Sequence, residues 1–144
     1  LIKYKKSEDG VNYECNSGTL KKTEMGWEFY PQGLSYFIKR INEEYDNKIP
    51  IYITENGMAN NDKPTSKGEV HDKDRIEFFN LHLKQILSCL NEGLSVKGYF
   101  AWSLLDNYEW AFGYSKRFGL VYVDFDSFKR IPKKSYYEFS KYLA

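Results

Sequence analysis

The chain has 144 residues and a formal net charge of +1, with 28% charged and 42% hydrophobic residues. That suits one soluble globular domain with a real core and offers no electrostatic footprint for nucleic acid or an anionic membrane surface. No run approaches the ~20 apolar residues needed to span a bilayer, and Cys15 and Cys89 lack CxxC spacing and read as free thiols.

Residues 1–24 read as a loop or extended arm. Lysines alternate with acids, Asp9-Gly10 and Ser17-Gly18 are turn dipeptides, and no helical period is present. Pro31 suits the first turn of a helix spanning Gln32–Asp46, with Leu34, Phe37, Ile38, Ile41 and Tyr45 on its apolar face. Asn47–Pro50 breaks that helix. Ile51–Thr54 is a β-branched and aromatic run of strand type, Glu55 stands at its carboxyl end, and Asn56-Gly57 turns the chain away. Asn60–Val70 is a polar loop.

A second helix is expected over Asp72–Asn91, burying Ile76, Phe79, Leu83, Ile86, Leu87 and Leu90 and stopping at Gly93. His82 on that helix has no histidine partner at ligand spacing and reads as a packing or surface residue. Val96–Trp102 is the next strand, so strand, helix and strand form a βαβ unit with parallel pairing and a right-handed crossover. Leu104–Lys116 is a polar-aromatic excursion and Arg117–Asp124 an extended segment. Pro132 opens a last helix burying Tyr136, Phe139, Tyr142 and Leu143. Two parallel strands want neighbours on both edges, so the sheet reads as part of a larger one.

On spacing alone Glu55 is a solvated strand-end glutamate as readily as a catalytic one, and an aromatic share of 18% suits a core as well as a sugar groove. The motifs decide. Met25–Pro31 (MGWEFYP), Thr54–Gly57 (TENG), Trp102–Trp110 (WSLLDNYEW), Gly113–Leu120 (GYSKRFGL) and Lys129–Ser135 (KRIPKKS) occur in register. Together they closely resemble glycoside hydrolase family 1, the retaining β-glucosidases and their relatives, from about Met25 to Leu143.

The resemblance implies an α/β fold: a partial (β/α)8 TIM barrel, with the Ile51 and Val96 strands as its seventh and eighth and the chain as its carboxyl-terminal portion. It implies that Glu55 is the nucleophile of a reaction through a covalent glycosyl-enzyme, on a β-glucoside or β-galactoside. Glu109 and Trp110 would hold the non-reducing sugar, Trp102 would be its platform, and Phe118 a wall near its C6 side. A cis peptide is expected at Trp102-Ser103. No cofactor or metal is implied.

The family's acid/base glutamate sits in an Asn-Glu-Pro motif that this sequence lacks. The Gln and His near the barrel's start are absent too, as is the sixth-strand Tyr that bonds the nucleophile; Tyr4 and Tyr13 lack its surrounding motif. Catalysis is therefore expected to need a missing amino-terminal part of the same barrel. Ser115-Lys116-Arg117 stands where the phospho-β-glucosidase branch holds a 6-phosphate, but that branch typically lacks a glutamate at the position of Glu109, where a carboxylate would repel phosphate. An unphosphorylated sugar is expected. The alternatives are a degenerate, non-catalytic sugar-binding or interaction protein, a 6-phospho-β-glucosidase, and a small α/β domain with no sugar role. Leu1 in place of Met reads as a start inside a longer polypeptide, and the absence of a signal-peptide-like start and of an Asn-x-Ser/Thr sequon favours a cytoplasmic setting.

Overall fold

The computed structural model describes residues 2–7, 10–15, 18–45 and 49–143. Its centre is the expected βαβ unit. Strand β3 (Ile51–Asn56) pairs in parallel with β4 (Val96–Ala101), and helix α2 (Lys73–Asn91) crosses between them. The register sets Ile51 opposite Val96 and Ile53 opposite Tyr99. Gly98 is glycine because the Tyr52 ring lies against it: an added Cβ would come within 2.4 Å of Tyr52 Cδ1. Helix α1 (Gln32–Glu44) precedes β3 and packs on α2. Asp46 and Asn47, where the sequence ends that helix, lie outside the described residues, as do Asp9 and Ser17 of the expected turns.

The amino-terminal segment, expected as a loop or extended arm, is extended and pairs with itself. Ile2–Ser7 (β1) and Gly10–Cys15 (β2) form an antiparallel pair that sets Lys3 opposite Glu14 and Tyr4 opposite Tyr13. Ile2 and Tyr4, then Val11, Tyr13 and Cys15, recur with a period of two, which is a strand signal.

Helix α2 spans two core clusters. Near its start, Phe78 and Phe79 pack with Phe29, Met58 and Leu120; near its end, Ile86 and Cys89 pack with Ile38 and Val96. Its buried face differs from the expected one. Arg75, Phe78, His82 and Cys89 are buried, whereas Leu87 and Leu90 are 56% and 44% exposed. A binary pattern assigns Arg75 and His82 to solvent, and that rotates the inferred face. Cys89 is a free thiol whose pKa burial pushes up.

At the carboxyl end, β5 (Val121–Val123) pairs antiparallel with β6 (Arg130–Pro132), and α3 (Lys134–Ser140) follows. Pro132 therefore ends a strand; the helix starts two residues later. Phe139 packs on Phe79 and Tyr99 as expected, but Tyr136 is exposed, as are Tyr142 and Leu143 just past α3, Phe37 and Ile41 of α1, and Tyr45 just past it. The apolar stripes of these two helices are thus only partly covered by the described residues.

Candidate active site

The carboxyl ends of β3 and β4 open onto a cavity of about 430 Å³, and Glu55, Trp102, Glu109, Trp110 and Phe118 all line it. Glu55 is exposed in the last turn of strand before Asn56. The Asn56 carbonyl accepts the Trp102 N–H at 2.9 Å, and the Tyr99 hydroxyl donates to Asn56 Oδ1 at 2.7 Å. Next to it, a Cβ on Gly57 would sit 1.8 Å from the Trp102 carbonyl oxygen. Only glycine permits that approach. The end of the Glu55 strand is thereby locked to the Trp102 strand.

The Trp102-Ser103 peptide is cis. Ser103 N–H then donates to the Phe118 carbonyl at 3.2 Å, and the Ser103 carbonyl accepts from Leu120 N–H at 2.8 Å, which seats Phe118 beside Trp102. Phe118 is buried with its ring centroid 6.0 Å from that of Trp27. Glu109 and Trp110 stand at the start of a 3-10 turn, Trp110–Phe112: Glu109 N–H donates to Gly113 O at 2.7 Å, Trp110 has φ of 39°, and Trp110 is 81% exposed. All three Trp residues of the chain, Trp27, Trp102 and Trp110, line this cavity.

Beneath the loops lies a charged lattice that the sequence did not announce. Lys133 is fully buried and donates to Asp62 at 2.6 Å and Asp106 at 2.8 Å. Asp106 also accepts from Arg117 at 2.8 Å and from the Gly119 N–H at 2.9 Å. Arg75, on α2, pairs with Asp62 at 2.7 Å and with Asp72, and Asp72 accepts the Ser135 N–H and hydroxyl. The chain leaving β3, the start of α2, the Trp102–Glu109 loop and the start of α3 are joined through these carboxylates. Burial pulls the Lys133 pKa down, with Arg75 adding to the effect and the two carboxylates opposing it. Burial also opposes the Arg75 charge, but Asp62 and Asp72 more than offset it and hold its pKa up.

His82 also lines the cavity. Its Nδ1 lies 2.7 Å from the Phe78 carbonyl, which can only accept, so Nδ1 carries the hydrogen. The ring is tilted over Phe78 with centroids 3.9 Å apart, and burial pushes its pKa down. This is the packing role expected of it. Among the described residues no three His, Cys, Asp or Glu side chains gather as a metal site.

Sequence reasoning named five residues that share this cavity and left out Trp27, Glu28, Tyr30 and Asn56, which line it too. Trp27, Glu28 and Tyr30 lie inside the MGWEFYP stretch, which was the available signal. Asn56 lies inside the TENG stretch, and only its tie to Tyr99 had no signal.

The model of Glycosyl hydrolase family 1 matches residues 2–144. The chain belongs to that family. It is 50% identical over 141 residues to a 1,4-beta-D-glucan glucohydrolase of Thermotoga neapolitana, covering 92% of this chain and 32% of that protein. It is 45% identical over 132 residues to a 6-phospho-beta-galactosidase of Clostridium acetobutylicum, covering 92% and 28%. The fold matches a family 1 β-glucosidase from Thermotoga maritima, solved with isofagomine lactam, at a TM-score of 0.88 and 46% identity, over 97% of this chain and 31% of that one. The chain thus spans about a third of the length of the relatives it matches.

Proposed function

We propose that this chain supplies the nucleophile and one wall of the sugar pocket of a retaining β-glucosidase, with Glu55 attacking the anomeric carbon. The observation that carries this reading is the convergence of Glu55, Trp102, Glu109, Trp110 and Phe118 on one cavity at the carboxyl ends of two parallel strands. In the proposal β3 and β4 are the seventh and eighth strands of a (β/α)8 barrel, and the rest of that barrel brings the acid/base carboxyl.

The chemistry follows from these groups. The exposed Glu55 side chain displaces the aglycone and forms a glycosyl ester; the partner carboxyl protonates the leaving oxygen and later activates water. Glu109 accepts hydrogen bonds from two neighbouring sugar hydroxyls, and the Trp110 indole N–H donates to a third. Trp102 offers its face to the C–H groups of the ring, and Phe118 closes the side near C6.

Kinship with a 6-phospho-beta-galactosidase raises the phosphorylated substrate as a second reading. The residues that would serve a phosphate are otherwise engaged. Lys116 Nζ donates to the Glu24 carbonyl at 2.6 Å, Ser115 Oγ to the Phe112 carbonyl at 2.7 Å, and Arg117 to Asp106. With the Glu109 carboxylate on the cavity as well, an unphosphorylated glucoside or galactoside is the better fit.

The test joins this chain to the remaining part of the Thermotoga maritima β-glucosidase and measures hydrolysis of 4-nitrophenyl β-glucoside and of its 6-phosphate. The unphosphorylated compound should be the substrate, and Glu55→Gln should lower kcat by roughly 10³-fold or more, about 4 kcal/mol of barrel-assembled barrier lowering. An active fusion indifferent to Glu55→Gln would refute the nucleophile. A correctly folded but inert fusion would favour a degenerate, non-catalytic member of the family.

A further inference from the structure

Asn56-Gly57 joins Glu55 to the cavity wall, and the Asn-Gly link is chemically exposed. Gly57 has no Cβ to shield its backbone nitrogen, and the Asn56 side-chain carbonyl carbon can meet that nitrogen in a five-membered ring. The structure opposes the closure. The Tyr99 hydroxyl donates to Asn56 Oδ1 at 2.7 Å, the Asn56 backbone carbonyl accepts the Trp102 N–H at 2.9 Å, and Gly57 is pressed against the Trp102 carbonyl. Tyr99 is itself held by rings on two sides, Phe79 of α2 and Phe139 of α3. Burial raises its phenol pKa far above the ordinary range, so it remains a donor at any working pH. Nothing in the proposed catalytic cycle uses this tyrosine.

We propose that Asn56-Gly57 is a latent deamidation site beside Glu55, held closed by the Tyr99 phenol. In the reaction, hydroxide removes the Gly57 amide proton and the nitrogen attacks Asn56 Cγ. The new C–N bond forms as the Cγ–Nδ2 bond breaks, and Nδ2 takes up a proton and leaves as ammonia. Water then opens the cyclic imide at either carbonyl, which leaves aspartate or isoaspartate at position 56. Nothing is oxidised or reduced, and the side chain exchanges NH2 for OH. Either product sets a second carboxylate one residue from Glu55, and the isoaspartate also lengthens the backbone where Asn56 faces Ala101 in the strand pair. The consequence for glycosidase activity rests on the function proposed above. The chemistry at Asn56 does not.

The test uses the whole chain, incubated at mildly alkaline pH and sampled by peptide mass mapping for the gain of about one dalton at Asn56. Folded wild type should deamidate there at least tenfold more slowly than the same chain unfolded in urea, and Tyr99→Phe should recover most of that rate while keeping its circular dichroism. Phe79→Leu serves as control, because it loosens the packing around the ring and keeps the phenol. The proposal is overturned if Tyr99→Phe deamidates as slowly as wild type, or if Phe79→Leu matches Tyr99→Phe. Whether or not Tyr99→Phe folds, equal wild-type rates folded and in urea also overturn the proposal. Failure of fluoroglucoside labelling in fresh, unmodified protein would instead strike the catalytic reading and leave the mass result standing.

Discussion

Replacing Lys133 by methionine removes the cation at the centre of the buried lattice while keeping most of its volume. Asp62 and Asp106, both buried, each lose a bond, of 2.6 and 2.8 Å respectively. Breaking a buried ion pair from one side costs about 3–5 kcal/mol, chiefly because a charge is left stranded. Two observations place this case at the lower end. Burial outweighs the carboxylates at Lys133 and lowers its pKa, so the ammonium is itself uncomfortable there. Each aspartate also keeps a second cation, Arg75 for Asp62 and Arg117 for Asp106.

The expected loss is therefore about 3 kcal/mol, or a fall of roughly 1.5 M in the urea midpoint for a slope near 2 kcal/mol per M. Urea unfolding followed by circular dichroism and tryptophan emission measures it. Because every Trp lines the cavity, the emission should shift in Lys133→Met even before unfolding. The double variant Lys133→Met, Asp62→Asn should recover part of the loss, since one stranded carboxylate is gone while Arg75 keeps Asp72 and Arg117 keeps Asp106. A loss under about 1 kcal/mol for Lys133→Met, or no recovery in the double variant, would refute the claim that this lattice holds the loops.

Other perturbations give separate checks. His82 has a folded pKa below its ordinary 6.5, so between those two values the unfolded chain binds more protons. Stability should fall as pH drops below 6.5 toward the folded pKa, by at most about 1.4 kcal/mol per pH unit, and His82→Gln should lack that component in matched urea titrations. Gly57→Ala would drive a methyl to 1.8 Å from a backbone oxygen. It should destabilise the chain by about 1–3 kcal/mol and blue- or red-shift Trp102 emission, while Gly68→Ala, with open space around it but φ of 75°, should leave that emission alone. Among the described residues neither β3 nor β4 has a second strand neighbour, and Tyr52 and Phe100 on them are exposed. The isolated chain should therefore self-associate, and a monomer whose sedimentation is independent of concentration would contradict that.

The sequence made the βαβ unit legible because Ile51–Thr54 is β-branched and α2 carries a clear helical period. The turn expected at Asn56-Gly57 is not there: β3 runs on through Asn56, Gly57 has no positive φ, and the glycine is required by the Trp102 carbonyl pressed against it. The buried face of α2 was not legible, because Arg75 and His82 count as surface residues until Asp62, Asp72 and the Phe78 carbonyl are brought to them by distant parts of the chain. The same holds for Lys133, which has Lys129, Arg130 and Lys134 near it in sequence and the Asp62 and Asp106 carboxylates around it in space. Tyr142 and Leu143 misled in the opposite direction: they stand at helical spacing, yet they are 55% and 74% exposed, although the Tyr142 ring meets Phe139 and its hydroxyl donates to Asn80. Within the site, residue type could not separate a cavity wall from a core. Trp102, Trp110 and Phe118 became candidates only through the motifs around them, and Trp27 was passed over because its motif carried no assigned role.

The central claim is that Glu55 is a nucleophile, and covalent capture tests it most directly. The chain, alone and joined to the remaining part of the Thermotoga maritima enzyme, would be treated with a 2-deoxy-2-fluoro-β-glucoside bearing a dinitrophenolate leaving group. That leaving group needs little acid assistance, so a partner carboxyl is not required for the first step. The account predicts one fluoroglucosyl adduct, mapped by peptide mass to Glu55, in the joined protein and in any of the isolated chain whose cavity forms. An adduct on a different residue, or none in a folded joined protein, would contradict it.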